Sequence, residues 1–357
     1  MHKVSVSGVR LAGVVACLPE QLLDNRVACE ELFGDSVETL IKATGIEKRA
    51  IAAPGTTALD LNVAAARCLL DATGTAPEEI GAVVCVTFTP EYLMPSDAPS
   101  AQHRLGLPTD VMAFDVSMAC SGYGYGLYLG ATLARATNKK VLVLDGDVQS
   151  AYVSDTDKAT VPVMADVGTA SLIVGDESAE PWDFAFYTDG SQREALFVPA
   201  GGTRRPTRPE DLEPITYEDG SSRRDVDIFM DGFAIFRFVA LTASKFIKEF
   251  MTVEAIEPDS LDAFVPHQAN IYMIGQLAKK LRIADAMTWK SGHLFGNPAS
   301  ASIPLTIAHH QSTHAAEAGR TLIAGFGGGL SISVGVLRLP GDSVYQVIEY
   351  GEVADHG

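Results

Sequence analysis

The sequence predicts an α/β fold with buried sheets, and three observations support this prediction. Apolar, β-branched runs such as "GAVVCVTFT" and "KKVLVLDGD" alternate with Ala-rich runs of helical periodicity such as "GYGYGLYLGATLARAT". The second half of the chain repeats this order of elements, from "LDAFVPHQ" to "LSISVGVLRL". Matching elements are offset by close to 180 residues, as for Val141 and Thr321 or Gly122 and Ser302. We therefore expect an internal duplication.

The composition is that of a globular protein with a large core, since 47% of its 357 residues are hydrophobic and 20% are charged. The duplication predicts two halves, residues 1–178 and 179–357, which meet around "VGDESAEPWDF". Between residues 201 and 227 the chain is rich in charge, Pro and Gly, which predicts a long surface loop or insertion.

Charge and hydropathy exclude several classes of partner. The net charge of −18 disfavours nucleic acids and anionic membranes, because both reward clustered Lys and Arg. No run reaches the roughly 18 uncharged apolar residues of a membrane span. The N-terminus alternates like a strand and lacks the features of a signal peptide. We therefore expect a cytoplasmic protein. The five cysteines show no CxxC spacing, so we expect neither a disulfide framework nor a metal site.

One cysteine stands at the junction between a strand and a helix, in "DVSMACSGYGYGLYLG". The preceding "VMAFDV" is typical of a buried strand, whereas Gly122, Gly126 and Gly130 would share one face of a helix and allow close packing. Cys120 would then lie at a helix start, where unpaired backbone N–H groups and the helix dipole lower a thiol's pKa. The alternative is a buried structural cysteine.

Two further polar residues follow predicted turns in the second half. His267 ends the strand of "VPHQAN", and Asn297 lies in "FGNPASAS", which corresponds to the Cys120 turn in the duplicated halves. A two-fold arrangement brings both helix starts to one central place, so a thiol, an imidazole and an amide would converge there. Alternatively, His267 is a hydrogen-bonded core residue and Asn297 only caps the next helix.

The motifs "DVSMACSG", "VPHQAN", "GNPASASIP" and "GFGGGLSISVG" resemble, in order and spacing, the signatures of ketoacyl-acyl-carrier-protein synthase III enzymes of the thiolase superfamily. The resemblance extends over essentially the whole chain. It implies a thiolase-like, duplicated five-layered αβαβα fold and a homodimer. It also implies an acyltransferase (EC 2.3.1) that uses acyl and malonyl thioesters of acyl-carrier protein or coenzyme A as substrates, without a further cofactor.

The resemblance assigns a role to each group. Cys120 would take the acyl group from a thioester, and the backbone N–H groups of Cys120 and Gly328 would hold the oxyanion. A malonyl-type thioester would then lose carbon dioxide, while His267 Nε2–H and the Asn297 amide donate to the enolate oxygen. The carbon of this enolate would attack the acyl group and give a 3-ketoacyl product.

Other positions bear on substrate choice. The family's tryptophan and arginine before "TGI", which contact coenzyme A, are replaced by Thr39 or Leu40 and by Ala43, and a further arginine is replaced by Tyr272. A coenzyme A site of the usual kind is therefore not expected.

Four residues match family positions for the pocket and for docking. Met94 falls where the family reaches across the dimer to shape the partner's acyl pocket, and Phe326 would line the pocket. Lys279 and Lys280 match basic residues that dock acyl-carrier protein, although paired lysines are also typical of a solvated face.

Three functions remain open from the sequence. The first is a decarboxylative condensing enzyme in fatty acid, lipid or specialised-metabolite synthesis. The second is a synthase III-like transferase that passes the acyl group to a small hydroxyl or amine acceptor, which the intact Asn297 disfavours. The third is a non-catalytic partner subunit, which the presence of Cys120 disfavours.

Overall fold

The computed structural model describes residues 1–314 and 319–351, and two large sheets organise it. The first sheet has the order β17-β2-β8-β7-β5-β6. Its strands are β2 (Val9–Leu18), β5 (Ile80–Val86), β6 (Met112–Val116), β7 (Lys140–Val148), β8 (Asp166–Gly175) and β17 (Val344–Glu349). The second sheet has the order β1-β9-β16-β15-β14. Its strands are β1 (Lys3–Val6), β9 (Trp182–Thr188), β14 (Ala263–Pro266), β15 (Arg320–Gly327) and β16 (Ser331–Arg338).

Helices and short hairpins complete the architecture. The helices are α1 (Asn25–Ala28), α2 (Glu30–Phe33), α3 (Val37–Thr44), α4 (Ala58–Thr73), α5 (Asp97–Arg104), α6 (Gly122–Thr137), α7 (Gly232–Arg237), α8 (Ser244–Val253), α9 (Ile271–Leu281), α10 (Gly292–Phe295) and α11 (Ser302–His314). A π-helical turn, Phe238–Ala243, joins α7 to α8. The two-stranded pairs are β3 (Gln21–Asp24) with β4 (Lys48–Ile51), β10 (Leu196–Phe197) with β13 (Phe229–Met230), and β11 (Ile215–Thr216) with β12 (Ser222–Arg223).

The elements stack in five layers, which confirms the predicted αβαβα arrangement. Helices α6 and α11 lie between the two sheets and share one apolar core with both. A second core joins α4 and α5 to the outer face of the first sheet, and a third joins α8 and α9 to the outer face of the second. Both faces of each sheet are therefore covered, which explains the almost unbroken apolar runs of the central strands.

The duplication is visible in the backbone itself. Strands β7 and β15 begin 180 residues apart, and so do α6 and α11. The residue that opens the turn before each of these helices has a left-handed backbone, with φ of 43° at Ala119 and 48° at Ala299. Because alanine rarely adopts this conformation, two such residues at the same offset indicate one turn geometry kept in both halves.

The terminal strands exchange between the halves. Strand β1 pairs antiparallel with β9 of the second sheet, and β17 pairs parallel with β2 of the first. Each large sheet therefore contains a strand from the other end of the chain. The division at residues 178 and 179 stays a prediction.

The prediction of a buried strand in "VMAFDV" is wrong. Strand β6 is an edge strand that pairs only with β5, and its side chains are exposed at Met112 and half-buried from Ala113 to Val116. The apolar composition suggested burial, but composition does not show which strand ends a sheet.

The polar stretch 201–227 lies on the surface, as predicted, and is held by ion pairs. Arg205 contacts the carboxylates of Asp211 and Asp225. Arg223 reaches out of the stretch to Asp157, at 3.2 Å. The backbone N–H of Ser222 donates to the carbonyl of Thr156, so the stretch covers the segment that follows β7.

Candidate functional site

One cavity of about 490 Å³ contains the three side chains that the sequence singled out. Cys120, His267 and Asn297 all line it, although they are far apart in the chain. They are 8%, 2% and 8% exposed respectively. The duplicated halves therefore bring a thiol, an imidazole and an amide into one largely buried space.

Cys120 is held at the start of α6 by unusually close backbone packing. A Cβ atom on Gly122 would lie 2.4 Å from Val86 and one on Gly126 would lie 2.8 Å from the same side chain, so α6 packs closely on β5, as the glycine spacing predicts. On the other side, a Cβ on Gly327 would lie 2.7 Å from Cys120 Cβ and 2.9 Å from its Sγ. Only glycine at position 327 leaves room for the thiol.

The expected fall in the pKa of Cys120 is not what the structure gives. Burial raises the pKa of the thiol to about 12, and the nearby Asp147 carboxylate also raises it. The backbone N–H groups of Cys120 and Gly328 act in the opposite direction. Both N–H groups therefore interact with Sγ, but desolvation of the thiolate outweighs them. A helix start favours an anion only to the extent that its surroundings do not desolvate it.

His267 is a neutral imidazole with a defined neighbour. Burial lowers its pKa to about 4, while the backbone carbonyl of Ala299 acts in the opposite direction. Its Nδ1 lies 2.8 Å from Ser302 Oγ, and this same oxygen accepts the Gln268 N–H at 3.2 Å. The hydroxyl proton of Ser302 is therefore available to Nδ1, which favours the tautomer with the proton on Nε2.

Asn297 is fixed by hydrogen bonds at both its backbone and its side chain. Its Oδ1 accepts the Ala299 N–H at 3.1 Å, and its backbone carbonyl accepts from Ala165 N–H and from Gln149 Nε2. With Oδ1 occupied, the amide NH₂ is the end of the side chain that is left to donate into the cavity. Asn297 caps the turn that follows it and also presents a donor, so the two readings of this residue are compatible.

The other predicted site residues occupy different places. Phe326 lines the cavity and packs edge-to-face on His267, with ring centroids 5.5 Å apart, and Gly328 lines the cavity beside Cys120. Met94 is 86% exposed and lies outside the cavity of its own chain. Its reach into a partner's pocket stays a prediction. Lys279 and Lys280 are exposed in the last turn of α9.

Sequence reasoning missed several residues of the site. Ser302, Gln149 and Met164 carry no motif of their own, yet the first bonds His267, the second bonds the Asn297 backbone, and the third lines the cavity. The third small residue of "SAS" after Asn297 is the one signal that could have indicated Ser302. None of residues 201–227 lines this cavity, whose described wall includes Ile228 and Met230 just beyond them.

The described residues contain neither a metal-binding cluster nor a membrane-spanning helix. Within residues 1–314 and 319–351, no cluster of three or more His, Cys, Asp or Glu side chains is arranged to hold a metal ion. Over the same described part of the chain, no helix combines the length and the apolar character needed to cross a membrane.

Family models match this chain in two regions, and relatives match it over nearly its whole length. The model of 3-oxoacyl-[acyl-carrier-protein] synthase III matches residues 114–190, and the model of its C-terminal part matches residues 251–339. Beta-ketoacyl-[acyl-carrier-protein] synthase III of Campylobacter concisus is 32% identical over 334 residues, which cover 93% of this chain and 97% of the relative. The enzyme of the same name from Chlamydia caviae is 32% identical over 341 residues, covering 93% and 98%.

Solved structures agree with the sequence comparison. A 3-oxoacyl-(acyl-carrier protein) synthase from Burkholderia xenovorans superimposes with a TM-score of 0.90 at 30% identity, covering 98% of this chain and 99% of that one. The priming beta-ketosynthase of the R1128 polyketide pathway superimposes with a TM-score of 0.82 at 26% identity, covering 94% and 97%. The overall architecture is thus the thiolase-type fold that these proteins share. Together these matches show that the chain belongs to the beta-ketoacyl-[acyl-carrier-protein] synthase III family of condensing enzymes.

Proposed function

We propose that this protein forms an acyl-enzyme on Cys120 and condenses it decarboxylatively with a malonyl-type thioester, giving a 3-ketoacyl product for fatty acid, lipid or specialised-metabolite synthesis. The observation that carries the proposal is the convergence of Cys120, His267 and Asn297 on one buried cavity. These groups can supply the two activities that such a reaction needs, a nucleophile and a pair of neutral hydrogen-bond donors.

In the first half-reaction, Cys120 Sγ attacks the carbonyl carbon of an acyl thioester and the carrier's thiol leaves. Because burial raises the pKa of the thiol to about 12, it is protonated at rest and loses its proton to the leaving thiolate as the new bond forms. In this proposal, the N–H groups of Cys120 and Gly328, which interact with Sγ, also stabilise the oxyanion of the tetrahedral intermediate.

In the second half-reaction, the carbon–carbon bond to the malonyl carboxylate breaks and carbon dioxide leaves. His267 Nε2–H and the Asn297 amide NH₂ donate to the enolate oxygen that develops, and the enolate carbon attacks the acyl carbonyl. Cys120 leaves as a thiolate and takes up one proton. A neutral imidazole suits this step because a pKa of about 4 keeps His267 uncharged at neutral pH while its N–H still donates.

The donor is, in our proposal, an acyl-carrier protein rather than coenzyme A. Thr39 and Ala43 are exposed on one face of α3 and offer neither the aromatic ring nor the cation of the family's coenzyme A site. Meanwhile Arg237, Lys279 and Lys280 form an exposed basic surface, since Lys280 Nζ donates to the carbonyl of Ala240, one turn beyond Arg237. Asn270 and Met273, at the other end of α9, line the cavity. At 1.5 Å per residue, the two lysines lie about 10 Å along the helix from Met273.

A homodimer is part of the same proposal. Strand β6 leaves one edge of the first sheet unpaired among the described residues, and Tyr92, Leu93 and Met94 form an exposed apolar run nearby in the chain. An unpaired strand edge and a run of exposed apolar side chains each favour pairing with a second copy.

Intact-protein mass spectrometry tests this function. The protein is incubated with acyl-carrier proteins and acyl-coenzyme A thioesters, and malonyl-carrier protein is then added. We expect one acyl group per chain from a carrier protein, followed by its loss with release of carbon dioxide. A chain that acylates but ignores every malonyl donor would instead pass its acyl group to a hydroxyl or amine. Lys279→Glu should slow acylation by the carrier protein and leave acylation by acyl-coenzyme A unchanged.

A further inference from the structure

A second cavity, of about 590 Å³, adjoins the catalytic cavity. Met164 lines both cavities, so they meet at this residue. The second cavity lies on the side of β3, β4 and α2, and its apolar wall includes Leu23, Leu32, Ile51, Val153 and Val161. The exposed polar residues Glu31, Asp155 and Thr156 also line it.

Met164 combines a backbone fixed by hydrogen bonds with a flexible side chain. Its N–H donates to the carbonyl of Thr160 at 3.0 Å, and its own carbonyl accepts from Arg49 Nη1 at 3.4 Å. The neighbouring Val161 and Val163 are β-branched and stiff at χ1. Methionine is unbranched and can change rotamer at little cost. The Met164 side chain can therefore change its rotamer without a movement of its hydrogen-bonded backbone.

The Arg49 guanidinium also lines the second cavity and already has hydrogen-bond partners. Arg49 is buried, and its Nε donates to Asn25 Oδ1 at 2.7 Å while Nη1 holds the Met164 carbonyl. The Arg49 guanidinium thus holds the backbone of Met164, the residue that divides the two cavities. Ser150 also lines this cavity, and its hydroxyl already donates to the Asp166 carboxylate. The aliphatic residues of the wall offer an apolar surface that suits a hydrocarbon chain.

We propose that the second cavity receives the far end of a long aliphatic acyl chain, which passes Met164 while its carbonyl carbon is bonded to Cys120. This inference rests on the proposed function, because it requires an acyl group on Cys120. The inference predicts that the preferred donor carries an aliphatic acyl chain that is too long for the catalytic cavity alone. Each methylene that enters the second cavity should favour the acyl-enzyme by about fourfold.

The test compares acylation of Cys120 by acetyl-, hexanoyl- and dodecanoyl-carrier protein. Leu32→Trp fills the second cavity without touching the catalytic one, and we expect it to lower the ratio of dodecanoyl to acetyl acylation by about tenfold or more. Leu22→Trp is the matched control, since Leu22 is 46% exposed and lines neither cavity. We expect this control to retain the ratio of the unmodified protein. Met164→Ala removes the divider and should raise the same ratio.

The outcomes separate this inference from the function on which it rests. Suppose that the acetyl donor acylates Cys120 normally and that neither Leu32→Trp nor Met164→Ala changes the dodecanoyl-to-acetyl ratio. This result would overturn the proposed role of the second cavity and leave the proposed function standing. A change in oligomeric state on Leu32→Trp with an unchanged ratio would also overturn it, and would assign the cavity to contact between copies. Failure of every donor to acylate Cys120 would overturn both proposals.

Discussion

Ser302 Oγ lies 2.8 Å from His267 Nδ1, in a contact from which solvent is excluded. Ser302 begins α11, and its hydroxyl oxygen also accepts the Gln268 N–H. The first turn of this helix therefore fixes the Nδ1 edge of the imidazole ring. A side chain that does not line the cavity thus orients one that does. We infer that Ser302 is a positioning residue that keeps the His267 proton on Nε2.

Ser302→Ala should slow condensation while acylation of Cys120 proceeds normally. The variant leaves Nδ1 without its hydroxyl neighbour, at a cost of about 1–2 kcal/mol, or roughly tenfold in rate. The measurement is carbon dioxide release from a preformed acyl-enzyme, across pH. Ser300→Ala is the control, because Ser300 lies in the same turn but bonds Asp145 at 2.5 Å. Equal losses in the two variants would show that the turn, and not the bond to His267, sets the rate.

Asn297→Asp should abolish most condensation and spare acylation. Aspartate keeps an oxygen to accept the Ala299 N–H but loses the NH₂ donor, so the turn is retained and the enolate loses a partner. Loss of one such donor raises the barrier by about 3 kcal/mol, or more than a hundredfold in rate. Single-turnover mass measurements with a preformed acyl-enzyme give both rates. Condensation at the unmodified rate would remove Asn297 from the mechanism.

Gly327→Ala should impair the first half-reaction. The added Cβ would come within 2.9 Å of Cys120 Sγ, so the thiol or the β15 backbone must shift. A displacement of this size can cost about a hundredfold in rate. The control is Gly175→Ala, since a Cβ there meets nothing within 4 Å. Acylation of Gly327→Ala at the rate of the control would contradict the packing of glycine against the nucleophile.

Asp147→Asn should change the pH dependence of stability. Asp147 Oδ1 accepts from Thr87, Phe88 and Thr89, but its Oδ2 is buried and, among the described residues, has no partner. Burial therefore raises the pKa of Asp147 to about 7.

The sign of this effect follows from which state binds the proton. Between the ordinary carboxyl pKa of about 4 and pH 7, the folded protein holds a proton that the unfolded chain has lost. The contribution of Asp147 to stability is thus fully present below pH 4 and is lost as the pH rises to 7. Asparagine does not titrate. The unfolding free energy of the variant minus that of the unmodified protein should therefore increase from pH 4 to 7 and stay constant above pH 7. Denaturant unfolding at several pH values measures this difference, and a constant difference would contradict it.

The sequence predicted the architecture well because the relevant signals are local. The glycine spacing of α6, the strand before His267 and the turn at Asn297 each involve a few consecutive residues, and the 180-residue offset relates the two turns to one centre. The same locality explains the errors. The edge position of β6 and the burial that raises the pKa of Cys120 both depend on contacts between distant segments. Ser302 and Met164 were missed for that reason, since only the packing of α11 and of the 161–164 segment gives them a role.

The most direct test of the central claim is peptide mapping of the acyl group after brief incubation with an acyl-carrier protein, in the unmodified protein and in Cys120→Ala. The chain contains five cysteines, so the position of the added mass identifies the nucleophile. We predict that the acyl group is found on the peptide with Cys120 and that Cys120→Ala takes up none. An acyl group on Cys17, Cys29, Cys68 or Cys85, retained when Cys120 is replaced, would contradict the account.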